Sequence, residues 1–210
     1  MSDKAIVLFS GGIDSTTSLY WAKERYEVYA LTLNYYNRIP KEIEATRKIV
    51  LKANIPLMEF NLYFIKEAFN IINNYQENDL RLPYYIPAKN ILFYSIAAHY
   101  AEYIRAKAII GGHIKEDRFY PDAREEYIKL LNKLLREGSI LYNDFEIITP
   151  LANLTKLEVI RLGYKLNIPF ELTWSCHKIT DRHCGKCHGC LSRIDIFNKL
   201  NIKDPVEYER

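Results

Sequence analysis

The chain opens on residues 4–9 (KAIVLF), an unbroken apolar run rich in β-branched side chains. A strand with one wet face would alternate polar and apolar positions. A run without alternation suits a strand covered on both faces, as in a parallel sheet. Gly11-Gly12 ends the run, and Thr16, Leu19 and Tyr20 then recur at helical spacing to about residue 25, with Asp14 and Ser15 as predicted caps. Residues 28–33, 57–60, 108–110 and 145–148 repeat the strand pattern. Residues 40–53 (with Pro40 at the first turn), 90–106, 121–137, 155–166 and 191–200 repeat the helical one. Thr155 and Glu158 have the spacing of a capping box, which explains both without assigning them chemistry. Strands alternating with helices predict an α/β fold, a doubly wound Rossmann-like parallel sheet with ligands at the strands' carboxyl ends. Residues 61–86 break the rhythm, being partly helical, then Tyr-rich and interrupted by Pro83, and read as a functional loop or lid.

The first strand-to-helix turn is Ser10-Gly11-Gly12-Ile13-Asp14-Ser15. Adjacent glycines let backbone approach a ligand closely, and the helix behind supplies free N–H groups and partial positive charge suited to phosphate. No lysine follows the glycines, so the turn is neither a P-loop nor a G-x-G-x-x-G dinucleotide turn. An acid in mid-loop suits an anion site if Asp14 works through Mg²⁺. The plainer reading is a strand-to-helix turn with Asp14 as its cap.

All four cysteines fall late, at Cys176, Cys184, Cys187 and Cys190, with Gly185 and Gly189 among them. Such clustering is unlike a disulfide scaffold and suits a tetrahedral thiolate site for one structural Zn²⁺, closed to substrate. A redox-active Cys187-x-x-Cys190 pair and an iron–sulfur cluster are the rival uses of the same thiols. His177, His183 and His188 are then surplus to the ligand set, and Trp174 is expected in the core beside this loop. The boundaries drawn are 1–170 for the α/β domain and 171–210 for a metal-binding region packed on it.

Composition narrows the classes. The 210 residues are 49% hydrophobic and 26% charged, which is ordinary for a globular chain, and the net charge of +3 is too small for a dedicated nucleic-acid binder. No window is long and apolar enough for a membrane span, and the Met-Ser-Asp-Lys start is unlike a signal peptide, so a cytoplasmic location is expected.

The string SGGIDSTT (residues 10–17) resembles the pyrophosphate loop of the N-type ATP pyrophosphatases, the superfamily of GMP synthetase, NAD synthetase and tRNA thiolation enzymes. Further strings are similar to one family within it, the 7-cyano-7-deazaguanine synthases. These are Ile86-Pro87-Ala88-Lys89-Asn90, Tyr120-Pro121-Asp122-x-Arg124, Pro150-Leu151 with Leu154-Thr155-Lys156-x-Glu158, and Thr173-Trp174-Ser175-Cys176 followed by the remaining cysteines and Arg193. Three places depart from the family pattern: Tyr36-Asn37-Arg38-Ile39 stands where Gly-Gln-Arg-His is usual, Arg118-Phe119 replaces a Ser-Gly pair, and Ala123 replaces a cysteine.

The resemblance implies ATP-dependent conversion of 7-carboxy-7-deazaguanine and ammonia to the nitrile through adenylated intermediates. It implies ATP, Mg²⁺ and one Zn²⁺ per chain, and a homodimer without stable nucleic-acid binding. Carried onto this chain, it assigns ATP to Leu8, Phe9, Ser10, Gly11, Gly12, Ile13, Asp14, Ser15, Thr16 and Leu33, and catalysis to Asp14, Lys89 and Arg124. Substrate falls to Tyr35, Arg38, Asn90, Tyr120 and Asp122, and metal to the four cysteines. The Tyr84-Tyr85 pair could stack on a flat ring. Each has a plainer alternative: Lys89 as a solvated helix-start residue, Asn90 as an N-cap, and Asp122-x-Arg124 as a helix-terminal acid with a surface cation. The rival functions are a tRNA-modifying enzyme that adenylates a base, and a non-catalytic nucleotide- or zinc-binding module.

Overall fold

The computed structural model describes residues 2–35, 38–62, 88–140 and 144–209. In chain order the elements are β1 (Lys4–Leu8), α1 (Ile13–Lys23), β2 (Glu27–Asn34), α2 (Pro40–Ala53), β3 (Leu57–Asn61) and α3 (Lys89–Ile104). Then come β4 (Ala108–Ile110), α4 (Glu125–Glu137), β5 (Glu146–Ile148), α5 (Lys156–Lys165) and α6 (His188–Lys199). Short 3-10 turns cover Lys115–Phe119, Pro121–Ala123 and Phe170–Leu172.

The five strands form one parallel sheet in the order β3-β2-β1-β4-β5. The chain winds outward from β1 to β3, then returns to the other side of β1. The order reverses between β1 and β4, which is where a doubly wound sheet opens a crevice beyond its carboxyl ends.

The unalternating strands have their expected cause: alternate residues feed two cores. Ile6, Leu31, Leu33 and Ile109 pack with Tyr94, Ala97 and Ala101 of α3 on one face. Ala5, Val7, Ala30 and Ile110 pack with Leu19 of α1 and Ile49 of α2 on the other. A third cluster joins Ile13 of α1, Val159 and Ile160 of α5, and Phe170, Ile196 and Phe197, so the chain beyond residue 170 packs on the α/β layer.

Local endings follow local chemistry. Pro40 opens α2, and Asn54 closes it in the left-handed region at φ 53°. Before α5, Glu158 N–H donates to Thr155 Oγ1 at 3.4 Å and Thr155 N–H donates to Glu158 Oε2 at 2.8 Å, completing the predicted capping box.

Three boundaries differ from expectation. The N-cap of α1 is Gly12, because Ser15 Oγ is spent on Gly12 O (3.2 Å) and the Asp14 carboxylate is drawn away by a lysine. The predicted helix over 121–137 starts instead at Glu125; Arg124 is extended (φ −75°, ψ 153°), which separates α4 from the 3-10 turn at Pro121. Asn90 lies inside α3 rather than capping it, and the cap is Ala88 at φ 54°. The expected lid, apart from Asn61 and Leu62, and the Tyr84-Tyr85 pair lie outside the described residues.

The C-terminal region is held by an ion pair in the core. Arg193 Nε and Nη2 donate to Asp204 at 2.8 and 2.9 Å, and the same guanidinium donates to Thr173 Oγ1 (2.8 Å) and Phe170 O (3.0 Å). Both side chains are buried. Asp204→Ala leaves the cation without its counter-charge, and urea titration is expected to show a loss of about 3–5 kcal/mol.

Candidate active site

At the carboxyl ends of β1 and β4 lies a cleft of about 400 Å³. Its floor is the glycine turn. Gly11 adopts φ +84°, and a Cβ there would lie 2.8 Å from Thr46 Oγ1 and 2.9 Å from Thr46 N, so α2 packs on backbone that no side chain could replace. Ser10 Oγ and Ser15 Oγ lie 3.0 Å apart, and Thr16 Oγ1 donates to Gly12 O at 2.7 Å. The first turn of α1 therefore presents its amides beside two hydroxyls, an arrangement that binds anionic oxygens.

A second glycine pair, Gly111-Gly112, closes the opposite side. A Cβ on Gly111 would fall 1.9 Å from Tyr94 Oη, and one on Gly112 would lie 3.1 Å from Ser15 Cα. The two glycine turns thus touch at the switch point. Trp174 N–H also donates to Gly11 O at 3.0 Å, which fastens the start of the cysteine region to the phosphate-type loop.

Arg38 forms much of one wall. Its Nη1 donates to Thr32 Oγ1, Leu33 O and Asn34 Oδ1, and its Nη2 to Ser10 O (2.7 Å) and Thr46 Oγ1 (2.8 Å). One buried planar cation joins β2, α2 and the glycine turn, a task its rigid fork suits better than a lysine would. The facing wall is built from α3 and the turn at Pro121: Asn90 N–H donates to Asp122 Oδ2 (3.3 Å), and Asn90 Nδ2 donates to Asp122 O (3.0 Å). Lys89, Phe93 and Tyr120 line the same side.

Charge is concentrated at the loop end. Lys156 Nζ sits 2.6 and 2.5 Å from the two oxygens of Asp14. Asp117 also lines the cleft and accepts Ile114 N–H at 2.9 Å; burial raises its carboxyl above the usual range, and the charge on Asp14 raises it further. Burial raises the Glu42 carboxyl as well, opposed by Arg38 and Lys89. His113, 3.0 Å from Tyr94 Oη, is held down to about 4 by burial, with Lys89 adding to the effect, so it is neutral at neutral pH.

Of the residues expected here, Leu8, Phe9, Ser10, Gly12, Asp14, Ser15, Leu33, Tyr35, Arg38, Lys89, Asn90, Tyr120 and Asp122 line the cleft. Gly11 in the turn, and Ile13 and Thr16 at the start of α1, lie beneath it and are buried. Arg124 is not among the lining residues; it is exposed, and its Nε donates to Arg118 O at 3.2 Å. Sequence reasoning missed Glu42, His113, Asp117 and Lys156 as cleft or loop-end groups. The one available signal was the second Gly-Gly, since a glycine pair after another parallel strand predicts that the next few residues border the same crevice.

The four thiols form a separate centre. All four Sγ atoms lie within 4.8 Å of one another, with Cys184–Cys190 and Cys176–Cys187 each at 3.9 Å. A tetrahedral ion bound at ~2.3 Å sets thiolates at about this spacing. Backbone N–H groups point at the sulfurs, including Lys186 N and Cys187 N to Cys184 Sγ (3.4 and 3.3 Å) and His177 N to Cys187 Sγ (3.3 Å). The Lys186 amide is the largest influence lowering the Cys184 thiol to about 6. His183 takes no place in this set: its Nε2 accepts Ser175 N–H at 3.1 Å, and burial holds it neutral, down to about 4.

A doubly wound parallel sheet with an anion-binding glycine turn at its switch point, and a four-thiol metal centre beside it, defines a nucleotide-binding α/β protein. The sequence profile described as "Queuosine biosynthesis protein QueC" matches residues 4–201. The 7-cyano-7-deazaguanine synthase of Picrophilus torridus is 38% identical, over 98% of this chain and 92% of its own length. That of Caldicellulosiruptor saccharolyticus is 32% identical, over 98% and 96%. Among solved structures, the NMN synthetase of Francisella tularensis shares the fold, with a TM-score of 0.56 at 16% identity, covering 100% of this chain and 89% of that one. The chain belongs to the QueC family.

Proposed function

We propose that this chain is a 7-cyano-7-deazaguanine synthase, converting 7-carboxy-7-deazaguanine and ammonia to the nitrile with ATP. The observation that carries this reading is family membership over residues 4–201 together with a glycine turn that opens on the cleft.

A carboxylate resists attack because oxide is a poor leaving group. In the proposed reaction the substrate carboxylate attacks the α-phosphorus of ATP, pyrophosphate departs, and ammonia displaces AMP to give the amide. A second activation at the amide oxygen then allows elimination to the nitrile. The α1 amides with Ser10 and Ser15 would hold the departing pyrophosphate, and Lys89 would neutralise charge from the facing wall. Lys156 would turn from Asp14 to the phosphates. Asp122, fixed by Asn90, and Tyr35 and Tyr120 would orient the deazaguanine.

Asp14 lies close enough to raise the Asp117 carboxyl, and such a pair of carboxylates suits a hard divalent cation, so Asp14 and Asp117 would hold Mg²⁺, which would supply phosphate charge neutralisation when bound. The thiol spacing suits Zn²⁺ in a closed structural role. On this reading residues 1–170 carry the nucleotide and 171–210 the zinc, and the enzyme acts in the cytoplasm as a homodimer. Among the described residues no helix is long and apolar enough to cross a membrane.

The test is mass spectrometry of the product after incubation of folded, zinc-loaded protein with ATP, Mg²⁺, ammonia and 7-carboxy-7-deazaguanine. The nitrile is expected; unchanged acid would overturn the reading.

A further inference from the structure

The proposed reaction strips every hydrogen from its nitrogen. One proton must leave when ammonia replaces AMP to form the C–N bond of the amide. Two more must leave as the activated amide breaks its C–O bond and becomes a nitrile. Each departs as H⁺, no oxidant is needed, and the cleft must hold a group able to accept them.

Among the described residues, the carboxylates and imidazole that line the cleft are Asp14, Glu42, Asp117, Asp122 and His113, beside Lys89, Arg38, Tyr35 and Tyr120, and most of these acids and the imidazole are engaged. Asp14 holds Lys156 with both oxygens. Asp117 accepts Ile114 N–H at the phosphate end, in the field of Asp14. Asp122 is tied to Asn90. His113 is paired with Tyr94 and binds a proton too weakly.

Glu42 differs from these. It stands in the first turn of α2, which packs on Gly11, and it lines the cleft. Among the described residues the charged groups that face it are Arg38 and Lys89, and the ion pair to Arg38 is loose, with Nε 3.8 Å from Oε1. Among the described residues Arg38 Nε makes no hydrogen bond, so the guanidinium does not consume the carboxylate.

We infer that Glu42 is the catalytic base of the two nitrogen steps, taking protons first from the attacking ammonia and then from the activated amide, and releasing them to solvent between steps. The inference rests on the function proposed above. Burial raises the Glu42 carboxyl above its ordinary range, which makes it a stronger base than a solvated glutamate. The base form is present above that raised value, so the nitrogen steps are expected to slow as pH falls through it.

Glu42 also stands in the first turn of α2, where an acid or its amide is well tolerated. Glutamine keeps the size and shape of the side chain there. Glu42→Gln therefore removes the base and keeps the helix start. The experiment compares wild type, Glu42→Gln and Glu42→Asp across pH, measuring acid-dependent pyrophosphate release, amide and nitrile separately, with melting temperature as a control. Glu42→Gln is expected to melt like wild type and to release pyrophosphate in its first turnover. Its nitrile formation should fall about 100-fold or more, and the acidic limb of the wild-type profile should vanish; Glu42→Asp should restore part of the rate. Nitrile formation at the wild-type rate with an unchanged acidic limb in Glu42→Gln would overturn the inference and leave the proposed function intact. A wild-type protein that makes no nitrile would instead overturn the function itself.

Discussion

Asp14→Asn is expected to fold normally and to lose pyrophosphate release by about 10³-fold, the scale on which metal-assisted charge neutralisation acts in phosphoryl chemistry. The argument begins with the shape of the turn. Gly12 caps α1 and the serine hydroxyls bond within the loop, so none of the local hydrogen bonds that hold the turn requires the Asp14 carboxylate. What that carboxylate does is hold Lys156 and face Asp117. Asparagine keeps the volume and removes the charge, so the lysine loses its anchor and the site proposed for a divalent cation loses a ligand. Side-chain exposures of 23% for Lys156 and 27% for Asp14 place the pair at the water boundary, where losing it costs little stability. Steady-state pyrophosphate release and a melting curve check both halves; unchanged turnover would remove Asp14 from the chemistry.

Cys187→Ser is expected to have the largest effect on stability. The serine oxygen is a poor ligand for a soft thiolate site, and three sulfurs held within 4.8 Å of one another would then lack the ion that balances them. In isolated zinc peptides such an ion contributes on the order of 10 kcal/mol. Here the Phe170, Ile196 and Phe197 cluster and the Arg193–Asp204 pair would still hold α6, so only part of that is lost. A decrease in melting temperature of about 10 °C or more, with one fewer metal ion per chain by elemental analysis, is the expected result. Retention of both would show that the thiols serve some other purpose.

The sheet was legible because both faces of each strand are buried, which writes apolar runs that little else in a chain of this size produces. Strand order was legible only as a class: alternation implies double winding, whereas the reversal at β1 depends on which strand edges meet. The two glycine turns of the cleft were equally readable, since Gly11 and Gly111 tolerate no Cβ and glycine pairs stand out in a sequence. Lys156 was not. It lies 142 residues from Asp14, inside a capping box that accounted for its neighbours and drew attention from it. Asp117 and Glu42 were hidden for a related reason. Each sits in a first helical turn, where an acid is already explained by the local backbone, and only the tertiary approach of that turn to the glycine loop turns a cap into a cleft-facing group. Arg38 was legible as a cleft residue, but not as a cross-link, because its five acceptors come from three separate parts of the chain.

That cross-link braces one side of the crevice from within. Four of the five guanidinium contacts stay inside the unit made by β2, α2 and the loop between them, at Thr32, Leu33, Asn34 and Thr46, and the fifth reaches the glycine turn at Ser10 O. This wall is therefore stiffened as one piece, and the guanidinium staples it to the floor at a single carbonyl oxygen.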